Sequence, residues 1–466
     1  MRRLGVIALA LPLLAACGSS KHAEDTTPAP TPEPMTLRPP PLAKPSFVHV
    51  IVEDGDLSAR VRGALVKVAG HPGRTDRHGI ARIKIPHRGR LTVTVHRRGY
   101  DQYKQRLQFA NRPVHAVRVF QTKLQWPMYG AIQTRTQAQP YIHIRPPFKL
   151  IWSRPVGALI EFPAIVDDEV AFVSNFHGTV TAISMRNGKL VWRRYTPHGM
   201  MAASPALYKD ELIVHGMDGH VWVLNRYNGR VLWRYATGSP IESSPVVIDG
   251  VDYFGDWGGT VYALDLRTHR ARWTYGSGYK ITSSASVSNG TVYIGDYGGR
   301  LLALAKPNGH LRWSGSVNGR IYGTPAVASG RVFAPSSDGN SLTAFSTHGA
   351  RLWSINTGAY VYSSPAVWNG RVYFGSYNGV FYCLSAASGS TIWSFPTGGP
   401  IAGAPAIVDG IAYFSNRQHR IYGVNARTGR QVFRFPDGAF VPVSGNGRRL
   451  LLHGFSRLYA VEPRRR

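Results

Sequence analysis

Residues 364–395 read SPAVWNGRVYFGSYNGVFYCLSAASGSTIWSF. Short runs alternate apolar and polar positions, and Asn-Gly and Ser-Gly dipeptides separate them. Alternation with period two marks strands, and such dipeptides supply the positive φ that tight hairpins require. The stretch predicts four antiparallel strands, the last carrying Trp393. Its phrases recur. Tryptophans stand at Trp152, Trp192, Trp233, Trp273, Trp313, Trp353 and Trp393, with Phe433 next, at intervals of 40 or 41 residues. A second series keeps step: Pro163, Pro205, Pro245, Ala285, Pro325, Pro365, Pro405 and Pro442. A third consists of the phrases TVTAIS, HVWVLN, TVYALD, RLLALA, SLTAFS, VFYCLS, RIYGVN and RLYAVE.

A four-stranded unit of about 40 residues is a propeller blade. Amphipathic helix periodicity is absent, which excludes a helical solenoid. The aromatic and proline series each have eight members but are offset, since Trp152 precedes Pro163. The run KLIWSRP (149–155) must therefore complete the sheet begun by residues 440–462, giving eight blades in a closed ring without an open edge. Each tryptophan is placed on the outer strand, packed over the edge of the neighbouring blade. A buried indole covers roughly 150–250 Å², which at about 25 cal/mol per Å² stabilises by several kcal/mol before entropy.

Eleven-residue phrases such as Ala263–Trp273 and Ala303–Trp313 resemble the tryptophan-docking motif of the PQQ-type repeat family. The resemblance covers about residues 126–462, and WPMYG at 126–130 is similar to a lead-in of bacterial members. It implies an all-β fold with an eight-bladed β-propeller over residues 122–466. The family includes quinoprotein dehydrogenases, which hold pyrroloquinoline quinone (PQQ) and Ca²⁺ in the central funnel. Such an enzyme needs a vicinal cysteine pair, acidic and amide calcium ligands, and capping inserts. This chain has two cysteines, Cys17 and Cys383, and minimal blades, so neither PQQ nor calcium is expected and no catalytic residue is assigned. Gly-x-Ser-x-Gly, HExxH, phosphate-loop and CxxC motifs are missing as well. His215 and His220 read as turn or rim residues, Cys383 as a small buried strand residue, and GDWGG (255–259) and GDYGG (295–299) as glycine turns.

The N-terminus, MRRLGVIALALPLLAAC, has a basic start and an apolar run of 11 residues, too short to span a bilayer. Leu14-Ala15-Ala16-Cys17 resembles the lipobox of bacterial lipoproteins, which makes 1–17 a leader and Cys17 the lipidated residue; an ordinary cleaved signal peptide is the alternative. Residues 18–45 form a Pro-rich linker, with eight prolines after residue 18. From 46 to 121, short alternating runs such as FVHVIVED, GIARIKIP and LTVTVHRRGY predict a small β-sandwich. Gly63-Ala64, Val66, Val68, Thr75-Asp76, Gly79 and Gly99-Tyr100 resemble the carboxypeptidase regulatory-like (transthyretin-like) modules, which implies an accessory role. Asp76 and Gly79 suit a tight turn, and Glu53, Asp54 and Asp56 a solvated one rather than a cation site.

Lys and Arg total 55 against 25 Asp and Glu, a formal charge of +30, densest in the sandwich segment. Such an excess favours anionic partners, here wall polymer or headgroups, while export and the missing recognition motif argue against nucleic acid. The resemblance extends to the propeller lipoproteins that help assemble outer-membrane β-barrels. The expectation is an exported, monomeric, non-catalytic scaffold, lipid-anchored to the cell membrane or outer membrane, binding envelope proteins or anionic envelope polymer. The alternative is a PQQ-dependent quinoprotein dehydrogenase.

Overall fold

A computed structural model describes residues 46–110, 114–196 and 200–464. The leader, Cys17 and the linker lie outside the described residues.

The sandwich has seven strands: β1 (Ser46–Asp54), β2 (Leu65–Val68), β3 (His71–Arg74), β4 (Ile80–Ile85), β5 (Arg90–His96), β6 (Tyr103–Gln108) and β7 (Val114–Val119). They form two sheets, ordered β4-β1-β7 and β3-β2-β5-β6. Strand β1 runs antiparallel to β4 and parallel to β7. Alternate residues Val48, Val50 and Val52 point inward and meet Val66, Val68, Ile83, Val93 and Val117 in one core. Asp76 caps its own turn by accepting the His78 and Ile80 N–H groups.

Eight sheets follow; six are built solely from consecutive strands, and blade 7 gains a fifth strand, Ala138–Gln139, parallel to its inner one. Blade 1 spans residues 165–195, blade 2 206–236, blade 3 246–276, blade 4 286–316, blade 5 326–356, blade 6 366–396 and blade 7 406–435. Blade 8 combines Val443–Gly445, Leu450–His453 and Arg457–Pro463 with Phe148–Pro155 as its outer strand. Trp152 faces Ala460 in that pairing, so the ring closes where the sequence places the junction. The turn between the first two strands carries two consecutive left-handed residues in most blades, such as Asn289-Gly290 and Asn369-Gly370. That geometry belongs to the tightest hairpin turns. The core lies between blades: Ala206, Ile213 and Val223 of blade 2 pack on Val247, Phe254 and Tyr262 of blade 3. Outer strands alternate between covered and exposed residues.

Six of the seven outer-strand tryptophans lie against a glycine of the next blade. Trp152, Trp192, Trp273, Trp313, Trp353 and Trp393 cover Gly188, Gly229, Gly309, Gly349, Gly389 and Gly429. Their indole N–H groups donate to the Met185, Arg226, Lys306, Thr347, Ala386 and Ala426 carbonyls at 2.8–3.3 Å. Trp233 differs: His269 takes the glycine's place and stacks on the indole at 4.2 Å, and the indole N–H faces the Glu211 carboxylate rather than a backbone carbonyl of the next blade. Phe433 has no indole N–H to donate, and meets Phe148 edge-on at 5.1 Å.

The segment 126–139 threads the axial channel. Trp126 exchanges two backbone hydrogen bonds with Val166 of blade 1. The Leu207, Val287, Val327, Val367 and Ile407 N–H groups of blades 2, 4, 5, 6 and 7 donate to carbonyls of Pro127, Gln133, Thr134, Thr136 and Gln137. The thread thus satisfies inner-strand edges that would otherwise face the channel unpaired. Turning past successive blades puts Ala131, Arg135 and Gln137 at φ of 64°, 54° and 54°. Arg135 is 1% exposed, and its guanidinium donates to the Tyr129, Ser244, Pro245 and Ala285 carbonyls.

Two sequence readings need correction. Asp54 and Asp56 are not in a solvated turn. Asp54 is buried, accepts two N–H groups of its own turn and bonds Tyr100 and Gln121, while Asp56 is buried against Gln125 at the junction with the propeller. His215 is neither a turn nor a rim residue. It is fully buried in the second strand of blade 2, between the Ser243 carbonyl and Asp252, because a neighbouring blade supplies partners that local sequence does not reveal. His220 is half-buried, its ring contacting Asp218.

Candidate functional site

The loops entering the inner strands repeat one pattern: a buried aliphatic residue, then a variable one. Ile160, Ile241, Ile281, Ile321, Val361 and Ile401 are buried. Each anchors the loop, and the next residue is freed from core packing: Glu161, Glu242, Thr282, Tyr322, Tyr362 and Ala402. On the same face, the turn between second and third strands is capped by its own side chain. Asp256 and Asp296 accept the Thr260 and Arg300 N–H groups, which accounts for the two G-D-aromatic-G-G phrases. The following residue, Trp257, Tyr297, Tyr377 or Arg417, is pinned when its backbone N–H donates to the preceding loop at Pro240, Lys280, Tyr360 or Pro400.

These elements surround a cavity of about 250 Å³ at the channel mouth. Tyr129 of the thread, Phe162, Tyr322, Tyr362, Tyr377 and Phe440 supply aromatic walls. Tyr362 meets Tyr322 and Tyr377 with ring centroids 5.3 and 5.1 Å apart. Tyr322 donates its single phenol proton to Glu242, which also accepts from the Trp257 indole at 3.1 Å. Glu161 lies 3.5 Å from the same phenol oxygen and lines the cavity. Burial, and secondarily the Glu242 charge, push the Glu161 carboxyl up to about 7. Burial also raises Glu242, against the pull of its Tyr322 and Trp257 hydrogen bonds. Two cations stand by. Arg417 lies over Phe440, and Lys280 over Trp257 at 3.2 Å; among the described residues neither forms an ion pair with Glu161 or Glu242.

A second cluster lies where sandwich meets propeller. Asp101, Asp167 and Asp168 present oxygens within 4.8 Å of one another. Arg226 reaches Asp167 at 2.6 Å and Asp168 at 3.6 Å, so a guanidinium already stands among these acids. Burial pushes Asp101 up to about 7 and Asp168 up to about 8, with the Asp167 charge adding to both. Arg118 pairs with Glu169 and Arg448 with Ser58 across the same junction.

Of the residues singled out in the sequence, the seven tryptophans and Phe433 line blade seams, away from the cavity. Cys383 is buried in the third strand of blade 6, and burial pushes its thiol up to about 11. The funnel residues carry no periodic signal; what marks them is variation at a fixed place in an otherwise regular repeat.

A family model described as outer membrane protein assembly factor BamB matches residues 146–256, 257–361 and 340–464. Curated relatives include BamB of Taylorella asinigenitalis, 26% identical over 89 residues, covering 19% of this chain and 23% of that protein. BamB of Escherichia coli K12 is 26% identical over 103 residues, covering 22% of this chain and 26% of its own. The matched stretch thus spans about a quarter of these relatives' length. Among solved structures, BamB from Moraxella catarrhalis superposes with a TM-score of 0.58 at 16% identity, over 69% of this chain and 99% of its own. Quinohemoprotein alcohol dehydrogenase from Comamonas testosteroni gives 0.64 at 14% identity, over 74% and 81%. At such identities the two structures attest the fold alone. The match over residues 146–464 covers the whole ring of blades, and the chain belongs to the family described as outer membrane protein assembly factor BamB.

Proposed function

We propose that the protein is a non-catalytic scaffold of the bacterial envelope that takes part in outer-membrane protein assembly by holding protein partners on its funnel face. The family match across the blades carries this reading. The open aromatic face supports it, since aromatic side chains with basic neighbours are what protein interfaces concentrate. Cys17 is its lipid anchor and the basic sandwich a spacer between membrane and propeller in this reading. In-cell crosslinking from funnel-face positions, followed by mass spectrometry, tests it. Recovery of envelope assembly proteins is expected, and the absence of any envelope partner would overturn it.

The likeness to quinohemoprotein dehydrogenases raises a second reading. PQQ is a planar tricarboxylate, and its enzymes pair it with a calcium ion. The cavity instead presents Glu161, backed by Glu242 behind Tyr322, and its described lining residues include no cysteine. Glu161 is the sole acid among those residues, and no asparagine, glutamine or aspartate stands with it, so a calcium ion would lack the acidic and amide oxygens it needs and the residues do not fit the group. Adding PQQ and Ca²⁺ to the purified protein should give neither bound-quinone absorbance nor dye reduction with an alcohol.

A further inference from the structure

The walls of the channel-mouth cavity are aromatic, yet the carboxylate among them is short of donors. Tyr322 has one proton and two carboxylates beside it. Its short contact to Glu242 uses that proton, and the 3.5 Å separation from Glu161 is at the limit of a hydrogen bond. Glu161 therefore faces the cavity with no strong donor. The Thr282 hydroxyl, on a residue only 3% exposed, lines the same space but already has the Tyr297 phenol as its neighbour, so Glu161 is the group left wanting. Buried polar groups are normally satisfied, and those that are not point to a missing occupant.

We propose that this cavity receives one cationic side chain, a lysine or arginine presented by a partner protein, with Glu161 as counter-ion and Tyr322, Tyr362 and Tyr377 as its aromatic walls. The inference rests on the scaffold reading above and names what the partner contributes. Size agrees: 250 Å³ is about eight waters' share of liquid volume, room for one side-chain end but not a folded element. Ring faces attract cations, and an ionised carboxylate beneath them adds a charge-assisted hydrogen bond. The rim already shows the chemistry, because Lys280 sits over Trp257 and 5.1 Å from the Tyr297 ring. Every charge facing Glu161 has a stated place. Glu242 is hydrogen-bonded to Tyr322 and Trp257, Lys280 is on Trp257, and Arg417 is over Phe440. Arg417 opposes a second cation, so it sets a threshold rather than occupying the site.

The test is calorimetric titration of the full-length protein in detergent with N-acetyl-lysine methylamide and N-acetyl-arginine methylamide, with N-acetyl-glutamine methylamide as the neutral control. The cationic probes should bind and the neutral one should not. Affinity should rise about tenfold from pH 6 to pH 8 as Glu161 ionises. Glu161→Gln should weaken binding by about tenfold or more and abolish the pH dependence. Arg417→Ala should tighten it. Tyr362→Ala, on the open wall, gives a second route to weaker binding should the Gln variant fail to fold. Equal binding of the neutral probe, no binding of either cation, or unchanged affinity in Glu161→Gln would overturn the proposal. In-cell crosslinking of the same variants separates the two ideas. Partners retained by a chain that ignores cationic probes would sink the side-chain receptor and leave the scaffold standing, whereas no envelope partner at all would sink the scaffold.

Discussion

The indole of Trp273 lies over Gly309 of the next blade and donates its N–H to the Lys306 carbonyl at 2.9 Å. A Cβ built on Gly309 would sit 2.6 Å from the indole, and the backbone there has φ +73°. Both facts demand glycine. Gly309→Ala should therefore destabilise the protein by about 2–3 kcal/mol, combining left-handed strain with a displaced indole. Chemical denaturation would measure it. A loss under about 0.5 kcal/mol, the scale of an inert surface change, would show that the seam adjusts freely.

His269 is the internal contrast. It holds φ 59° without being glycine and stacks on Trp233. His269→Gly relieves the strain but removes the stack, so the net change should stay within about 1 kcal/mol. A much larger loss would mean that the stacked ring, rather than the backbone turn, secures that seam.

Trp152 carries more than its own burial, because its strand is supplied from the far end of the ring. Trp152→Ala should cost about 3–5 kcal/mol and make blade 8 the first site of limited proteolysis. Cleavage beginning at another blade would contradict this.

Arg135 sits in the channel on four backbone carbonyls. Arg135→Met keeps the volume but strands those acceptors, each unmet acceptor costing roughly 1–3 kcal/mol. The thermal midpoint should fall sharply, and Arg135→Lys, with fewer donors in a different geometry, should recover only part of it.

The sandwich–propeller junction should respond to pH. Asp101 and Asp168 hold their protons up to about 7 and 8 in the folded chain, against 3.8 ordinarily. The folded state then binds more protons than the unfolded one across that interval, so stability is greatest at the acid end and falls as pH rises to about 8. Melting curves from pH 5 to 8.5 should decline, and Asp168→Asn should flatten the slope. A rising curve would refute the assignment.

Much of the ring was legible because its determinants repeat. Trp152 to Trp393 and the proline series announce the blade, its count and its closure, since every seam solves the same packing problem. The thread was not legible. WPMYGAIQTRTQAQ has no periodicity because its successive residues pass from blade to blade, so its order is set by the circle it follows rather than by a strand's pleat. Glu161, Glu242 and Tyr322 stayed hidden for a related reason: they come from three distant loops and become a cluster only when the ring closes. Asp54 and Asp56 misled because a run of acids next to glycine usually meets water, and only a second domain removes it.

The channel segment also fixes the arithmetic of the ring. Its carbonyls are spaced to meet particular inner strands as they pass, and its two ends reach blade 1 and blade 7. A gene duplication that inserted a sector between blades 4 and 7 would put the Gln133, Thr134, Thr136 and Gln137 carbonyls out of step with the inner strands they now meet, and a deletion there would leave surplus chain coiled inside. Solenoids grow and shrink by whole repeats; this ring is wound on a spindle of set length, so its size can change only if the spindle is recut at the same time.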